Sequence, residues 1–316
     1  MNKKEQTTTS SWQIDRRVFL KASAAMATGF GLTNFSCQNL QSRKSDSLVR
    51  FGIVTDIHYA DVKTKGTRYY QHSLDKLTEC VHFMNEQQVD FLIELGDFKD
   101  QDAPPAEEKT LGYLQTIEKR FQRFSGPTYH VLGNHDMDSI SKAQFLDNIH
   151  NTDRNPIHSY YSFDRNGIHF VVLDANYKSD GADYDWGNFT WTDTNIPPIE
   201  LEWLETDLTQ TRQPTIVFVH QLLDGIGDVY INNAADVRQI LQKSGKVLAV
   251  FQGHHHAGSL QRREDIHYYT LKAMVEGPGP ENSSYAIVEI QSNLDITVTG
   301  YRNAVSSQFT KETSLF

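Results

Sequence analysis

The chain has 316 residues, of which 38% are hydrophobic and 22% charged, enough apolar material for one large core or two small ones. This composition excludes disordered, collagen-like and coiled-coil chains. A formal net charge of -10 without a basic stripe argues against duplex nucleic acid as a partner. Two cysteines cannot form a disulfide framework or a cysteine zinc site, whereas 13 histidines offer many candidate ligands.

Residues 1–37 have the pattern of an export segment that lies outside the fold. A polar start leads into the run DRRVFLK (15–21), and a stretch rich in Ala and Gly follows. This pattern resembles a twin-arginine export signal with Arg16 and Arg17 as the paired arginines. The apolar stretch is too short and too weakly apolar to span a membrane. The resemblance implies export to the periplasm by the twin-arginine machinery, and an ordinary amphipathic first helix is the alternative.

Cys37 closes the export segment and is a candidate lipidation site, although Asn34 and Phe35 are poor residues for the positions before a lipobox cysteine. A lipidated protein would be a membrane-anchored lipoprotein, and contact with a membrane is expected only in that case. Residues 38–47 are predicted to form a linker. Residues 48–316 are predicted to form one domain.

From Leu48 onward, short β-rich runs alternate with longer amphipathic runs, which predicts an α/β fold. Strands are predicted at 49–56, 89–97, 127–134, 159–164, 168–174 and 214–220. Helices are predicted at about 68–88, 198–210 and 233–244, and one more helix follows the second strand and ends at about 124. The last runs, at 247–253, 266–273, 284–290 and 294–300, are separated only by turns, which predicts a second, partly antiparallel sheet. One domain with two stacked sheets accommodates both patterns.

Side chains that can bind metals follow five of the strand-like runs. Because binding sites form at strand ends in open α/β sheets, we expect these side chains to converge. Imidazole nitrogens and carboxylate oxygens suit manganese, iron or zinc, and without a thiolate a structural zinc site is not expected. Any one of these residues alone is more often a turn, cap or surface residue, but their joint order is hard to assign to chance. The candidate ligands are Asp56, His58, Asp97, Asn134, His220, His254 and His256.

The ordered motifs D-x-H, G-D-x-x-D, G-N-H-D, V-x-V-H and G-H-x-H resemble those of the calcineurin-like metallophosphoesterase superfamily, from Arg50 to about Ala257. The resemblance implies a four-layer α-β-β-α sandwich of two mixed sheets and a centre with two divalent metal ions. It implies these ligands: Asp56, His58 and His256 for one metal, Asn134, His220 and His254 for the other, and Asp97 as a bridge between both.

The resemblance also implies a hydrolase of phosphodiester or diphosphate bonds, in which a metal-bridging hydroxide attacks phosphorus. Two cations about 3.5 to 4 Å apart can clamp a phosphoryl group and lower the pKa of a bridging water towards about 7. His135 would contact the phosphate and assist the leaving oxygen as a general acid, held and kept basic by Asp136. A helix-capping role is the alternative for Asp136, and it is compatible with the first. His255 is expected to face away because alternate side chains of an extended segment point in opposite directions.

The run GTRYYQHSL (66–74) resembles a segment of the manganese-dependent ADP-ribose/CDP-alcohol diphosphatases, in which it follows the first metal motif. This likeness implies manganese, with iron or zinc as alternatives. Arg68 would bind the second phosphate of a diphosphate, and Tyr69 or Tyr70 would pack on a base or ribose. The alternative is a helix start with a solvated arginine and core tyrosines. The aromatic loop, residues 181–191, is expected either as a flap near the site or as a surface loop held by its aromatic side chains.

The expected substrate is a small phosphorylated compound, such as a nucleotide, a phosphorylated glycan or a lipid head group met outside the cytoplasm. A phosphomonoesterase or cyclic-nucleotide phosphodiesterase with the same metals is the main alternative, and a non-catalytic phosphate-binding protein is a remote one. The purple acid phosphatases do not fit, because their tyrosine ligand, three residues after the bridging aspartate, is replaced by Asp100. Asp100 is expected to be an orienting or turn residue.

Overall fold

A computed structural model of the chain describes residues 47–153 and 158–310. The described residues belong to one compact unit, Ser45–Phe316. The predicted export segment, including Cys37, and nearly all of the predicted linker lie outside the described residues, so both stay predictions. Within the described ranges, every helix is too short or too polar to cross a bilayer.

Strands and helices alternate along the first two thirds of the described chain. The strands are β1 (Ser47–Val54), β2 (Phe91–Glu94), β3 (Thr128–His130), β4 (Tyr161–Arg165), β5 (Ile168–Val172), β6 (Thr215–Phe218), β7 (Val247–Gln252), β8 (Ser259–Arg263), β9 (Ile266–Thr270), β10 (Ser284–Gln291), β11 (Ile296–Arg302) and β12 (Ser307–Phe309). The helices are α1 (Ser73–Gln87), α2 (Glu107–Phe121), α3 (Lys142–Asp147), α4 (Pro198–Gln210) and α5 (Ala234–Ser244).

Two six-stranded mixed sheets form the centre of the fold. The first has the strand order β12-β11-β10-β1-β2-β3, and the second has the order β4-β5-β6-β7-β9-β8. In the first sheet β1, β2 and β3 are parallel, and in the second β5, β6, β7 and β9 are parallel. Within each sheet, the carboxyl ends of these parallel strands therefore lie on the same side, and the loops that follow them start there.

The predicted strands of the C-terminal region all occur, but the prediction that they share one sheet is wrong. β7 and β9 belong to the second sheet, whereas β10 pairs antiparallel with β1 and brings β11 and β12 into the first. β10 is buried along most of its length, which suits a strand that has neighbours on both sides. The short elements α3, β8 and β12 were not predicted, because so few residues carry little periodicity.

Apolar clusters hold the layers together. Between the two sheets, the ring of Phe51 packs edge-on against Phe170 and Phe218, with centroid distances of 5.5 and 5.8 Å. Each fully buried ring of this kind contributes about 1.5–3 kcal/mol. Helices α1 and α2 cover the outer face of the first sheet, and α4 and α5 cover that of the second. This order of layers confirms the predicted four-layer α-β-β-α sandwich.

Candidate metal centre

All seven predicted ligands lie in the loops that follow parallel strands. Asp56 and His58 follow β1, Asp97 follows β2, Asn134 follows β3, His220 follows β6, and His254 and His256 follow β7. The first sheet therefore supplies four of the side chains and the second supplies three. The expected convergence at the strand ends is observed.

Several of these residues have a strained backbone. Asp56, His58, Asp97 and His254 have positive φ angles of 50°, 46°, 55° and 65°. The left-handed region is unfavourable for residues other than glycine, and such conformations persist where the surrounding structure enforces them, often at functional sites. These backbone angles direct the four side chains into one common space.

The first group of candidate ligands consists of Asp56, His58 and His256. The Nε2 atom of His256 lies 3.2 Å from Nε2 of His58 and 3.4 Å from Oδ1 of Asp56. The side chains of Asp56 and His58 are fully buried, and Oδ1 of Asp56 lies 3.8 Å from Nε2 of His58.

The second group consists of Asp97, His220 and His254. The Oδ2 atom of Asp97 lies 3.2 Å from Nε2 of His220 and 3.5 Å from Nε2 of His58, which belongs to the first group. Asp97 therefore stands between the groups, at the position that a bridging carboxylate requires. Asn134 is almost completely buried and precedes His135, whose backbone N–H donates to Oδ1 of Asp97.

Buried polar atoms of this site lack hydrogen-bond partners within the described ranges: Asp56 Oδ1, Asn134 Oδ1 and His220 Nε2. Leaving such atoms unpaired is costly, so an arrangement that keeps three of them together calls for a ligand. Nitrogen and oxygen donors without a thiolate suit divalent cations. The residues present therefore fit two divalent metal ions.

The outer ring nitrogens of three candidate ligands are held by other groups. Nδ1 of His58 lies 3.1 Å from Asp100 Oδ2, and Nδ1 of His220 lies 2.8 Å from the Leu95 carbonyl oxygen. Nδ1 of His256 lies 2.6 Å from Glu276 Oε1. Such contacts fix the orientation of an imidazole and direct its Nε2 atom at the metal. Asp100 is thus an orienting residue, as one of the two sequence-based alternatives expected.

Opposite charges couple the groups of the site. Burial by itself would raise the pKa of Asp56, but the nearby rings of His256 and His58 lower it far below its usual range. Against the effect of burial, the charge of Asp97 raises the pKa of His220 to about 10. Burial and the charge of His220 lower the pKa of His254 to about 3.

His135 lies beside both groups and has one side open to solvent. Its side chain is 30% exposed, and its Nδ1 atom lies 3.4 Å from Asp138 Oδ2 and 3.7 Å from Asp100 Oδ2. Burial would lower the pKa of His135, but the negative charges of Asp97, Asp138 and Asp100 raise it to about 9. A protonated imidazole that a substrate can reach is suited to general acid catalysis.

The prediction that the carboxylate of Asp136 supports the ring of His135 is wrong. It is fully buried and accepts backbone N–H bonds from Gly133 (2.8 Å) and Asp97 (3.1 Å), because consecutive side chains of the 3-10 turn after β3 point in different directions. Asp136 thus caps this turn and joins it to the loop after β2, which matches the capping alternative. The carboxylates that face the ring come from Asp138 and Asp100 instead.

The predicted substrate-binding residues lie on the side of the first group. The backbone of Arg68 pairs with that of Glu276, whose Oε1 atom lies 2.6 Å from Nδ1 of the candidate ligand His256. Tyr70 is buried, whereas the ring of Tyr69 packs against a neighbouring histidine at 5.4 Å. The structure therefore brings the segment with Arg68 next to a residue that contacts the first ligand group, and Tyr69 and Tyr70 belong to the same segment.

The two interpretations of the aromatic loop both hold in part. Tyr184 is fully buried and stacks on Phe189 at a centroid distance of 3.9 Å, which ties the loop down. The ring centroid of Trp191 lies 5.7 Å from that of His254, so the end of the loop borders the metal centre.

Sequence reasoning missed three residues that support the site. Glu276 contacts His256, and Lys99 is a buried cation that donates to Asp138 and to the carbonyl of His135. The position of Asp138, three residues after His135, was the one available signal. Glu276 gave no signal, because it is distant from its partner in the chain.

The calcineurin-like phosphoesterase family model matches residues 49–258 of this chain, a range that contains every candidate ligand. The chain belongs to this family. It is therefore a hydrolase of phosphoric ester or diphosphate bonds, as the sequence motifs predicted.

Several known proteins are similar over most of the chain. The manganese-dependent ADP-ribose/CDP-alcohol diphosphatase of Oryza sativa subsp. japonica is 26% identical over 306 residues, which cover 79% of this chain and 91% of the relative. The Arabidopsis thaliana protein of the same name is 24% identical over 313 residues, covering 83% and 97%. A 3',5'-cyclic-nucleotide phosphodiesterase from Nostoc is 24% identical over 187 residues, covering 57% of this chain and 61% of the relative.

A solved structure has the same fold. The crystal structure of a dimetal phosphatase from Danio rerio superimposes with a TM-score of 0.71 at 19% identity, covering 84% of this chain and 100% of that one. This likeness confirms the two-sheet α/β architecture.

Proposed function

We propose that this protein hydrolyses the diphosphate bond of nucleotide-linked compounds of the ADP-ribose or CDP-alcohol type, with two manganese ions. The observation that carries the proposal is the position of Arg68, whose backbone pairs with Glu276, the residue in contact with Nδ1 of His256 in the first ligand group. A planar guanidinium binds phosphate through paired hydrogen bonds, and a diphosphate offers a second phosphate beside the one that reacts. The names of the rice and Arabidopsis relatives support the same substrate class.

The ligand assignment follows the two groups. One ion would be held by Asp56, His58 and His256, the other by Asn134, His220 and His254, with Asp97 shared between them. When bound, the two cations supply positive charge to the phosphoryl oxygens and lower the pKa of a bound water towards about 7.

His135 is the proposed general acid. Its side chain is 30% exposed, so a substrate can reach it, and the carboxylates of Asp138 and Asp100 face its Nδ1 atom. As the oxygen of water joins phosphorus, the bond to the leaving oxygen breaks, and His135 donates the proton that this oxygen requires. Asp138 and Asp100 lie beside Nδ1, so Nε2 is the atom that we propose for this transfer. Asp136 acts indirectly, by holding the loops that carry Asp97 and His135.

A cyclic-nucleotide phosphodiesterase is the second candidate, and the similarity to the Nostoc protein supports it. A cyclic nucleotide has a single phosphate, so its hydrolysis gives Arg68 no second phosphate to bind. A phosphomonoester also has a single phosphate, so a phosphomonoesterase with the same metals would likewise give Arg68 no second phosphate to bind.

The location of the protein is also a proposal. The run DRRVFLK at 15–21 supports export by the twin-arginine machinery, to the periplasm as a free protein or as a lipoprotein anchored through Cys37. This route carries folded proteins, so manganese could be bound before export.

The deciding experiment compares turnover of ADP-ribose, CDP-choline, cyclic AMP and p-nitrophenyl phosphate by the full chain with added manganese. We expect the two diphosphates to be hydrolysed fastest. The Asp97→Asn variant, which keeps the shape of the side chain but removes its charge, should be inactive on all four. Faster hydrolysis of cyclic AMP or of the monoester would contradict the proposed substrate class.

A further inference from the structure

Trp191, in the aromatic loop, exposes an apolar ring beside the metal centre. Its side chain is 43% exposed, and its ring is inclined by 54° to that of His254 at a centroid distance of 5.7 Å. Exposed indole surface contributes little to folding, because only apolar area removed from water stabilises the fold. An aromatic face that borders a polar site is therefore available to a ligand.

The segment that carries Trp191 is held rigidly. The hydroxyl of the buried Tyr184 donates to the carbonyls of Thr190 (3.2 Å) and Asp193 (2.8 Å), one on each side of Trp191. Tyr184 is itself stacked on Phe189. The position of the tryptophan is thus set before any substrate binds, which reduces the entropy that binding costs.

The aromatic loop is also docked on the part of the chain that carries His135. The backbone N–H of Gly187 donates to the Met137 carbonyl at 2.9 Å. Gly187 has a φ of 67°, and a Cβ at this position would lie 2.6 Å from the carbonyl oxygen of Asp138, so only glycine permits this approach. The loop and the proposed general acid therefore have a fixed relative position.

We propose that Trp191 is the wall on which the base of a nucleotide substrate stacks, and that it selects nucleotides over phosphates without a base. The inference rests on the proposed function and extends it to substrate selection. Arg68 pairs through its backbone with Glu276, which contacts His256 of the first ligand group, and Trp191 lies beside His254 of the second. A nucleoside diphosphate compound carries a nucleoside on one side of its reacting phosphate and a second phosphate on the other. Every base presents a flat π face to such a ring, so the preference is for a base rather than for one particular base.

The test uses two substrates that contain the same P–O–P bond, ADP-ribose and dimethyl diphosphate with one methyl ester on each phosphate. Full-length Trp191→Ala and Trp191→Phe are compared with wild type in saturating manganese. The matched control is Trp186→Ala, which removes the other exposed tryptophan of the aromatic loop, 56% exposed.

We expect Trp191→Ala to lower kcat/KM for ADP-ribose by roughly 10- to 100-fold, mainly through KM, because stacking contributes to binding. Hydrolysis of dimethyl diphosphate should not change. Trp191→Phe should retain most of the activity on ADP-ribose, and Trp186→Ala should behave as wild type. Equal losses on both substrates, or no loss on either, would overturn the inference.

A second measurement does not depend on turnover. AMP is titrated into each protein with manganese present, and the intrinsic tryptophan fluorescence is recorded. We expect quenching in wild type and in Trp186→Ala but not in Trp191→Ala, and equal quenching in all three would overturn the inference. If wild type hydrolyses no diphosphate but AMP still quenches Trp191, the proposed function fails while the stacking role stands.

Discussion

Glu276 shows how a residue outside the ligand set can govern a metal. Its Oε1 atom lies 2.6 Å from Nδ1 of His256, so it fixes the ring that presents Nε2 to the first ligand group. Burial alone would raise the pKa of Glu276, but Thr67 and His256 lower it, so it is an anion that favours the bound orientation of the ring.

Glu276→Gln should therefore weaken manganese binding by about 10- to 100-fold, since an amide keeps the shape but loses the charge. The measurement is the manganese concentration that gives half-maximal turnover. Maximal turnover in excess manganese should remain near that of wild type. The control is Glu281→Gln, an exposed residue of the same segment. Unchanged manganese dependence of the Glu276 variant would show that the contact does not orient His256.

Arg68 separates the proposed diphosphatase activity from simpler ester hydrolysis. Arg68→Ala should lower kcat/KM for ADP-ribose by roughly 10- to 100-fold, because a hydrogen bond to a charged group contributes about 1.5–3 kcal/mol. Hydrolysis of bis-p-nitrophenyl phosphate, which has one phosphate, should be nearly unaffected. Lys65→Ala removes an exposed cation from the same turn and serves as the control. Equal losses on both substrates would count against a second-phosphate site.

At the scale of elements, a buried ion-paired histidine joins the strands that precede two ligand loops. His130, the last residue of β3, contacts Glu94 of β2 through Nδ1 at 2.9 Å and Glu118 of α2 through Nε2 at 3.2 Å. Burial would lower the pKa of His130, but the two carboxylates raise it to about 10. The loops with Asp97 and Asn134 start directly beyond this contact.

The stability that His130 contributes should depend on pH. Because its folded pKa lies above the usual 6.5, the contribution is complete below about pH 6.5 and is lost as the pH rises towards 10. His130→Gln should therefore lower the free energy of unfolding by about 3 kcal/mol at pH 6 and by less at pH 9. Urea denaturation measures both values. His82→Gln, at a largely exposed position, should change stability by less than about 0.5 kcal/mol. A cost for His130→Gln that is the same at both pH values would contradict the charged state.

At the scale of the whole molecule, the candidate metal centre lies at one end of two sheets that share an apolar core. Its candidate ligands come from loops of both sheets, so bound cations would hold the sheets together. A ligand present at 100 times its Kd adds about 2.7 kcal/mol to the free energy of unfolding. Manganese should accordingly raise the Tm of wild type in calorimetry, and a chelator should lower it again. Asp97→Asn should fold but show a much smaller shift. A wild-type Tm that does not change when manganese is added would contradict binding at this centre.

The export proposal also belongs to the whole molecule. Replacing Arg16 and Arg17 by lysine keeps the charge but removes the guanidinium pair of the signal. The double variant should remain in the cytoplasm, while wild type is recovered from the periplasmic or membrane fraction. A Cys37→Ser variant distinguishes these two fractions, since it should release the protein from the membrane only if Cys37 is lipidated. Identical distributions of wild type and the double-lysine variant would refute the twin-arginine route.

The sequence by itself identified the candidate ligands and the kind of fold that carries them. Asp56, Asp97 and His220 each follow a β-rich run, and the site of an α/β fold lies where such runs end. Strand periodicity and the residues that come directly after it are local properties, so they can be read along the chain. The alternation of strands and helices predicted the layers for the same reason.

Only the tertiary structure decided which distant segments meet. The pairing of β10 with β1, the contact of Glu276 with His256 and the position of Trp191 beside His254 join residues far apart in the chain. Such contacts depend on how whole layers pack. The structure also decided that Asp138, rather than Asp136, faces the His135 ring, because the direction of a side chain in a tight turn depends on backbone angles that the sequence does not display.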